Sequence, residues 1–507
     1  MPQLHDLGGP PTSVETEQSA GPGRLHHTEA TLLIAGRPVQ GESVVEIPAP
    51  SDPRQIVGRC HIASPEQALA AVEAARQSAA QWARTSAASR AEILARAAEA
   101  LKRDAPRLSE LLSWEQGKPP AEARVELEGA RGILEWHAGQ AAALDPVVLD
   151  DRRGRQIRRR VPMGVVAVMV PWNYPVLLAQ LMVAPALLAG NAVVLKLPES
   201  SPLALRASLS PLAELLPPGV LNILAGDAAI GELLTTHPSV RKVAFTGSTA
   251  TGRKVMAAAS GTLKSVSLEL GGNDPAVVLP GRTIDAELID ELVRGTLTNA
   301  GQICYAPKRI YVPADRHAEF CRAFADGCAD MVVGPPSDGS ATLGPLNNAR
   351  QLAVVTGLLD DALAGGGSAV PLGRLSEHCS PDGYWFQPRL VTGLGNGARL
   401  VQEEQFGPLV PVVAYSSVDE AVEMANDTEY GLAASVWSDD EAEAFDVAAR
   451  LEAGTVFVNV HRVGASAVDM PFGGFKQSGI GRGHAVEGIH EYTELQVIAQ
   501  REDMRKR

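Results

Sequence analysis

Residues 161–196 read VPMGVVAVMVPWNYPVLLAQLMVAPALLAGNAVVLK, and the thirty-five positions 161–195 carry no charged side chain. A membrane helix would need about 20 unbroken apolar residues. Here Pro162, Pro171, Asn173, Pro175, Pro185, Gly190 and Asn191 cut the run into shorter pieces. The pieces read as a strand, GVVAVMV (164–170), a helix over 175–189 and a second strand, AVVLK (192–196). Strand, crossover helix and strand in that order make a parallel βαβ unit, not a span.

The same rhythm continues downstream. A helix over 202–215 leads to GVLNIL (219–224), a helix over 228–236, RKVAFT (241–246), a helix over 250–258 and SVSLEL (265–270). Five apolar strands separated by helices predict a doubly wound parallel sheet, with a nucleotide site at the carboxyl ends of its strands. A second α/β unit begins with DPAVVL (274–279). It continues through RIYVP (309–313), a helix over 315–332, PLVPVVAY (408–415), a helix over 418–426, AASVWS (433–438), a helix over 440–452 and GTVFVNV (454–460).

Upstream, short strands occupy 29–60, and residues 1–28 have the composition of a disordered arm. Ser64-Pro65-Glu66-Gln67 is a capping box that opens a helix to Trp82. Ser89 repeats the device for a helix to Lys102, a third runs from Ala105 to Gly117, and a fourth spans 120–143. Residues 145–160 form a charged hairpin turning at Arg153-Gly154. The alternating strand that closes 488–500 is expected to pair outside its own core, with that hairpin in another subunit.

The net charge of −14 over 507 residues argues against nucleic acid or an anionic membrane as a partner. Five cysteines with no CxxC pair suggest neither a disulfide framework nor a zinc site. No basic-then-apolar leader opens the sequence, so a cytoplasmic location is expected.

Chemistry concentrates between two motifs. Glu269 ends a strand in LELGG (268–272), and Cys304 closes GQIC (301–304), with an amphipathic helix, 284–299, between them. A reactive thiol needs a base and a donor nearby in space. A lone cysteine is more often buried and inert, as expected for Cys321 and Cys328, but Cys304 stands in a glycine-led loop. In this order and spacing the two motifs resemble those of the NAD(P)-dependent aldehyde dehydrogenase superfamily, and the resemblance runs from about residue 30 to about 500. The ELGGND, EEQFGP and NDTEYGLAASVWS runs are most similar to a bacterial branch of it.

The resemblance implies two doubly wound α/β domains, one Rossmann-like for the cofactor and one catalytic, plus a small β oligomerisation element. It assigns 29–144 and 161–270 to the NAD-binding domain, 271–470 to the catalytic domain, and 145–160 with 486–507 to the oligomerisation element of a homodimer or homotetramer. Cys304 would be the nucleophile, Glu269 the general base for thioester hydrolysis, and Asn173 an oxyanion donor together with the backbone N–H of Cys304. Val170, Trp172, Lys196, Glu199, Phe245, Gly247, Ser248, Gly252, Leu270, Glu404 and Phe406 would meet the cofactor. That cofactor is expected to be NAD, with NADP as the alternative, because a glutamate at 199 disfavours a 2′-phosphate.

The aldehyde tunnel would involve Tyr174, Leu178, Leu181, Ile303, Tyr305, His461 and Arg462, which suits a medium aliphatic or aromatic aldehyde. Arg462 is the one residue there that could meet a substrate carboxylate. No metal is expected. Asn273, Ala228 and Tyr305 depart from the commoner family pattern. A coenzyme A-acylating enzyme and a catalytically retired member are the rival readings. Glu269 argues against the first, and the intact Cys304, Glu269 and Asn173 against the second.

Overall fold

In the computed structural model, which describes residues 28–151 and 154–500, the uncharged run folds as strand Val165–Met169, helix Pro175–Leu188 and strand Ala192–Lys196. No helix among the described residues is long and apolar enough to cross a membrane. Five parallel strands lie in the order Ser265–Glu269, Val240–Thr246, Val165–Met169, Ala192–Lys196, Leu221–Leu224. Helices on both faces bury the central strands, which is why those strands read as continuous apolar runs.

The winding runs outward from Val165–Met169 in one direction and then returns to its other side with Val240–Thr246. That reversal opens a crevice at the carboxyl ends of these two strands. Residues 170–174 and 247–249 follow those ends. Antiparallel strands close the sheet: Gly479–Ile480 on one edge, Leu32–Ile34 followed by Arg37–Val39 on the other.

The second sheet has seven strands, ordered Ser368–Pro371, Arg389–Thr392, Leu409–Tyr415, Pro307–Pro313, Asp274–Val278, Ala433–Trp437, Thr455–Val458. All neighbours pair in parallel except the first two. Asp274–Val278 and Pro307–Pro313 are adjacent, so the two motifs that flank helix Ala286–Leu297 return to one end of one sheet.

Three expectations change. The helix expected to break between Lys102 and Ala105 is continuous from Ala87 to Gln116, capped by Ser86 rather than Ser89. Pro106 lies inside it at a cost of about 3 kcal/mol. The residues on either side of it, Leu94, Ala98 and Leu101, then Leu108, Leu111 and Leu112, are buried in one core. At about 1.5–3 kcal/mol for each buried leucine, packing outweighs the lost backbone bond. The 202–215 helix is instead two short ones, Leu203–Ser208 and Ser210–Leu215, interrupted at Leu209.

The third change concerns the tail. Strand Thr493–Ala499 pairs antiparallel with Gly154–Pro162 of its own chain, which in turn pairs with Val147–Asp151. Among the bonds that hold the tail there, Asn191 Nδ2 donates to the Tyr492 carbonyl at 2.9 Å, and His490 Nε2 lies 3.0 Å from the Ala143 carbonyl. Of the described residues of the tail, 493–499 join this small sheet, while Ile489 and Tyr492 belong to the core of the first α/β unit. Of the expected arm only Thr28 is described, as the start of strand Thr28–Ala30, and the Arg153 half of the hairpin turn lies outside the described residues.

Candidate active site

The nucleophile loop begins where helix Ala286–Leu297 ends. Asn299, Ala300 and Gly301 follow with φ of 53°, 54° and 70°, three left-handed residues in succession. Only the glycine adopts this conformation freely, and a Cβ on it would stand 2.6 Å from the Gly407 carbonyl oxygen. A dense hydrogen-bond set fixes the turn. Asn299 N–H donates to Glu122 Oε2 at 2.9 Å, and Asn299 Nδ2 to the Asn173 carbonyl at 3.2 Å. Gln302 Nε2 donates to the Asn299 carbonyl at 2.9 Å, while Gln302 Oε1 accepts from Asn347 N–H at 2.9 Å. Cys304 emerges from this turn partly exposed.

Asn173 enters from the other sheet. It follows strand Val165–Met169 and precedes helix Pro175–Leu188, and its Nδ2 donates to the Gln302 carbonyl at 2.9 Å. Its backbone is clamped as firmly. Buried Lys118 donates to the Asn173 carbonyl at 2.8 Å and to Glu126 Oε2 at 2.6 Å, with the Tyr174 ring centroid 3.7 Å from its ammonium. Glu126 Oε1 accepts from Val176 N–H at 2.8 Å and caps the first turn of the helix that follows.

Glu269 arrives on the ELGG turn. A Cβ on Gly272 would lie 2.5 Å from the Cys304 carbonyl oxygen, so the bare glycine lets this turn touch the nucleophile loop. Glu269 Oε2 is buried with no hydrogen-bond partner. Burial pushes its carboxyl up to about 8, against the pull of Arg482. Burial also drives the Cys304 thiol up to about 12, with Lys308 opposing and Glu404, Asp274 and Glu269 adding to the rise.

Of the residues expected to meet the cofactor, Val170, Trp172, Lys196, Glu199, Phe245, Gly247, Ser248, Gly252 and Leu270 lie at or just beyond strand ends of the first sheet, while Glu404 and Phe406 come from the second unit. Ser248 caps helix Thr249–Ser260, its Oγ accepting from Thr251 N–H at 3.3 Å. Cβ atoms on Gly247 and Gly252 would each fall 2.5 Å from a carbon of Phe245 and Leu270 respectively, so these two side chains fill the floor beneath the glycines. Val170 is buried in the core, and Trp172 meets Phe406 edge-on at 5.5 Å. Lys196 ends its strand with its pKa lowered by burial, Glu199 and Asp227 opposing the shift, and Glu199 itself is exposed. Glu404 accepts from Gly272 N–H at 3.1 Å.

Tyr174, Leu178, Ile303 and Tyr305 share one apolar cluster with Leu177, Ala306 and Val463. Three further residues expected at the tunnel fall outside that cluster. Leu181 packs on the first core. His461 is fully buried: its Nδ1 lies 2.9 Å from Ser435 Oγ and its Nε2 2.8 Å from the Tyr305 carbonyl, and burial depresses it to about 3. It braces the Tyr305 backbone next to the nucleophile. Arg462 is held by Glu291 at 2.9 Å. Residues not anticipated also join the wall, since Phe472 meets Tyr305 edge-on at 5.5 Å and stacks on His484 at 5.4 Å.

With this geometry in hand, likeness to known proteins decides the family. The model of the Aldehyde dehydrogenase family matches residues 38–498. The chain belongs to the aldehyde dehydrogenase family. Betaine aldehyde dehydrogenase of Rhizobium leguminosarum bv. trifolii is 34% identical over 477 residues, 94% of this chain and 95% of that protein. The crystal structure of betaine aldehyde dehydrogenase from Staphylococcus aureus in complex with NAD+ superimposes with a TM-score of 0.90 at 30% identity, covering 95% of this chain and 97% of its own. Mycobacterium tuberculosis aldehyde dehydrogenase complexed with NAD+ gives 0.89 at 34% identity, covering 93% and 98%.

The chemistry is therefore NAD(P)-dependent aldehyde oxidation, as in the rest of this aldehyde dehydrogenase family. The donor set fits that cofactor: a switch-point crevice, a capped helix N-terminus for phosphate, and Lys196 and Glu404 for hydroxyl groups.

Two outcomes follow from these buried charges. Lys118→Met leaves Glu126 buried and unpaired, and denaturant unfolding is expected to lose about 3–5 kcal/mol, part of which Lys118→Met with Glu126→Gln recovers. Glu269 has its folded pKa above the unfolded value, so its contribution to stability is complete below about 4.5 and is lost as pH rises through about 8. Glu269→Gln is expected to match the parent in urea melts at low pH and to exceed it above that midpoint.

Proposed function

We propose that the chain oxidises an aldehyde to its acid through covalent attachment to Cys304, with Glu269 and Asn173 serving the two halves of the reaction. The observation that carries this reading is the convergence of the ELGG turn and the Asn173 amide on the backbone of the GQIC loop that bears Cys304. The Cys304 thiolate adds to the aldehyde carbon, and the carbonyl electrons move onto oxygen. Asn173 Nδ2 carries two N–H groups. One holds the Gln302 carbonyl, leaving the second, with the Cys304 backbone N–H, to receive the oxyanion.

NAD bound in the crevice would supply the hydride acceptor for the adduct carbon. The thioester left on Cys304 is then hydrolysed. Glu269 takes a proton from water, the hydroxyl oxygen bonds to the acyl carbon, and the carbon–sulfur bond breaks to release the acid. A carboxylate raised to about 8 is a competent base near neutral pH. NAD is the preferred cofactor in this reading because Glu199 stands exposed where a ribose would lie and would repel a 2′-phosphate.

The apolar and aromatic wall around Tyr174, Leu178, Ile303 and Tyr305 favours a medium aliphatic or aromatic aldehyde. Betaine aldehyde, named for two of the relatives, enters the test because aromatic faces also receive quaternary ammonium groups. Arg462 is already paired with Glu291, which argues against it as a carboxylate receptor. The sheet made by 147–151, 154–162 and 493–499 exposes Val147, Val148, Leu149, Leu495, Val497 and Ile498, which supports a homodimer or homotetramer joined there, in the cytoplasm.

The test is NADH formation by the purified protein over neutral, aromatic, carboxylated and betaine aldehydes, with NADP run in parallel. Cys304→Ala is expected to lose at least about a thousandfold in turnover. Glu269→Gln is expected to give one fast turnover of NADH and then a slow steady state. A steady state undiminished in Glu269→Gln, or absolute dependence on coenzyme A, contradicts the hydrolytic role.

A further inference from the structure

Lys308 opens strand Pro307–Pro313 in the middle of the second sheet, and only 3% of its side chain is exposed. An ammonium buried this deeply is costly unless each of its three donors finds an acceptor. Its Nζ donates to the Cys304 carbonyl at 2.6 Å, the Ile303 carbonyl at 2.7 Å and, at 3.4 Å, the Ala306 carbonyl. Glu404 Oε1 stands 3.6 Å away. The lysine thus gathers the carbonyls on either side of the candidate nucleophile around one positive charge.

The other charged groups near that thiol work against its ionisation. Glu404, Asp274 and Glu269 are carboxylates, while buried Tyr174 and His461 and half-buried Tyr305 are held neutral. The next cation on the strand, Arg309, is engaged away from the site by Asn273, Met424 and Ala425 carbonyls. Lys308 is the one cation among the charged groups that act most strongly on Cys304.

We infer that Lys308 is a positioning residue for the nucleophile, clamping the Ile303–Ala306 carbonyls and supplying the positive field in which the Cys304 thiolate forms. Glu404 tempers that field, because its carboxylate neutralises the same ammonium from the cofactor side. This rests on Cys304 being the nucleophile. A mere core lysine would be needed for stability and would leave the ionisation of Cys304 alone.

The experiment uses the full chain without cofactor and follows iodoacetamide alkylation of the Cys304 peptide by mass spectrometry as a function of pH. Lys308→Met is expected to move the midpoint upward, so that alkylation below the midpoint falls by about tenfold for each unit of displacement. Lys308→Arg is expected to restore most of the rate. Glu404→Gln, with the counter-charge gone, is expected to move the midpoint downward.

A folded Lys308→Met whose profile matches the parent, or whose thiol reacts faster, overturns the inference. If Lys308→Met does not fold, Glu404→Gln decides: a lowered midpoint supports the assignment and an unmoved one overturns it. Turnover that persists in Cys304→Ala would defeat the underlying reading instead, and alkylation, which needs no turnover, tells the two failures apart.

Discussion

The site depends on a turn that the backbone resists. Asn299 and Ala300 hold left-handed dihedrals immediately before the nucleophile, at about 1–3 kcal/mol for each such residue. The surrounding hydrogen bonds, each worth about 1 kcal/mol net, are numerous enough to hold it, and they come from remote parts of the chain. Glu122 reaches in from helix Pro120–Ala138, Asn173 from the first sheet, and Asn347 from the segment before helix Ala349–Ala364. Asn347 also accepts from Ser200 Oγ at 2.6 Å and donates to the Gln116 carbonyl at 3.1 Å. The left-handed turn is therefore a meeting point of both α/β units, and its shape is a readout of how they are joined.

Burial sets the electrostatics of that meeting point. Glu122, Glu269 and Asp274 are all pushed well above the usual carboxylate range, and Lys118 and Lys308 are the buried cations beside them. Buried charges are costly without partners: Lys118 and Lys308 find theirs in the backbone carbonyls of Asn173 and Cys304, whereas Glu269 and Asp274 keep buried oxygens without one. The same dryness that makes these charges expensive raises Glu269 into the range of a useful base.

Much of this was legible in the sequence. Apolar strands alternating with helices over 164–270 give the first sheet, and its strand order puts 170–174 and 247–249 at the crevice. LELGG and GQIC name the residues that converge. What was hidden lay in long-range packing. Nothing local distinguishes Lys118 or Lys308 from surface lysines, since their burial depends on partners such as Glu126 and Glu404 that lie 8 and 96 positions away. Pro106 signals a break that the core overrides, and His461 and Arg462 could not be placed without knowing that Ser435 and Glu291 claim them. The wall residues Phe472 and His484 flank a turn at 473–483 whose geometry is set by close glycine packing, which no periodicity reveals.

The central claim is that substrate passes through a thioester on Cys304 that Glu269 releases. The most direct measurement is mass spectrometry of Glu269→Gln protein quenched after exposure to an accepted aldehyde and NAD. The account predicts an acyl group, two hydrogens lighter than the bound aldehyde, on the peptide that contains Cys304. An unmodified Cys304 peptide during NADH formation, or the same mass on Cys60, Cys321, Cys328 or Cys379, would contradict it.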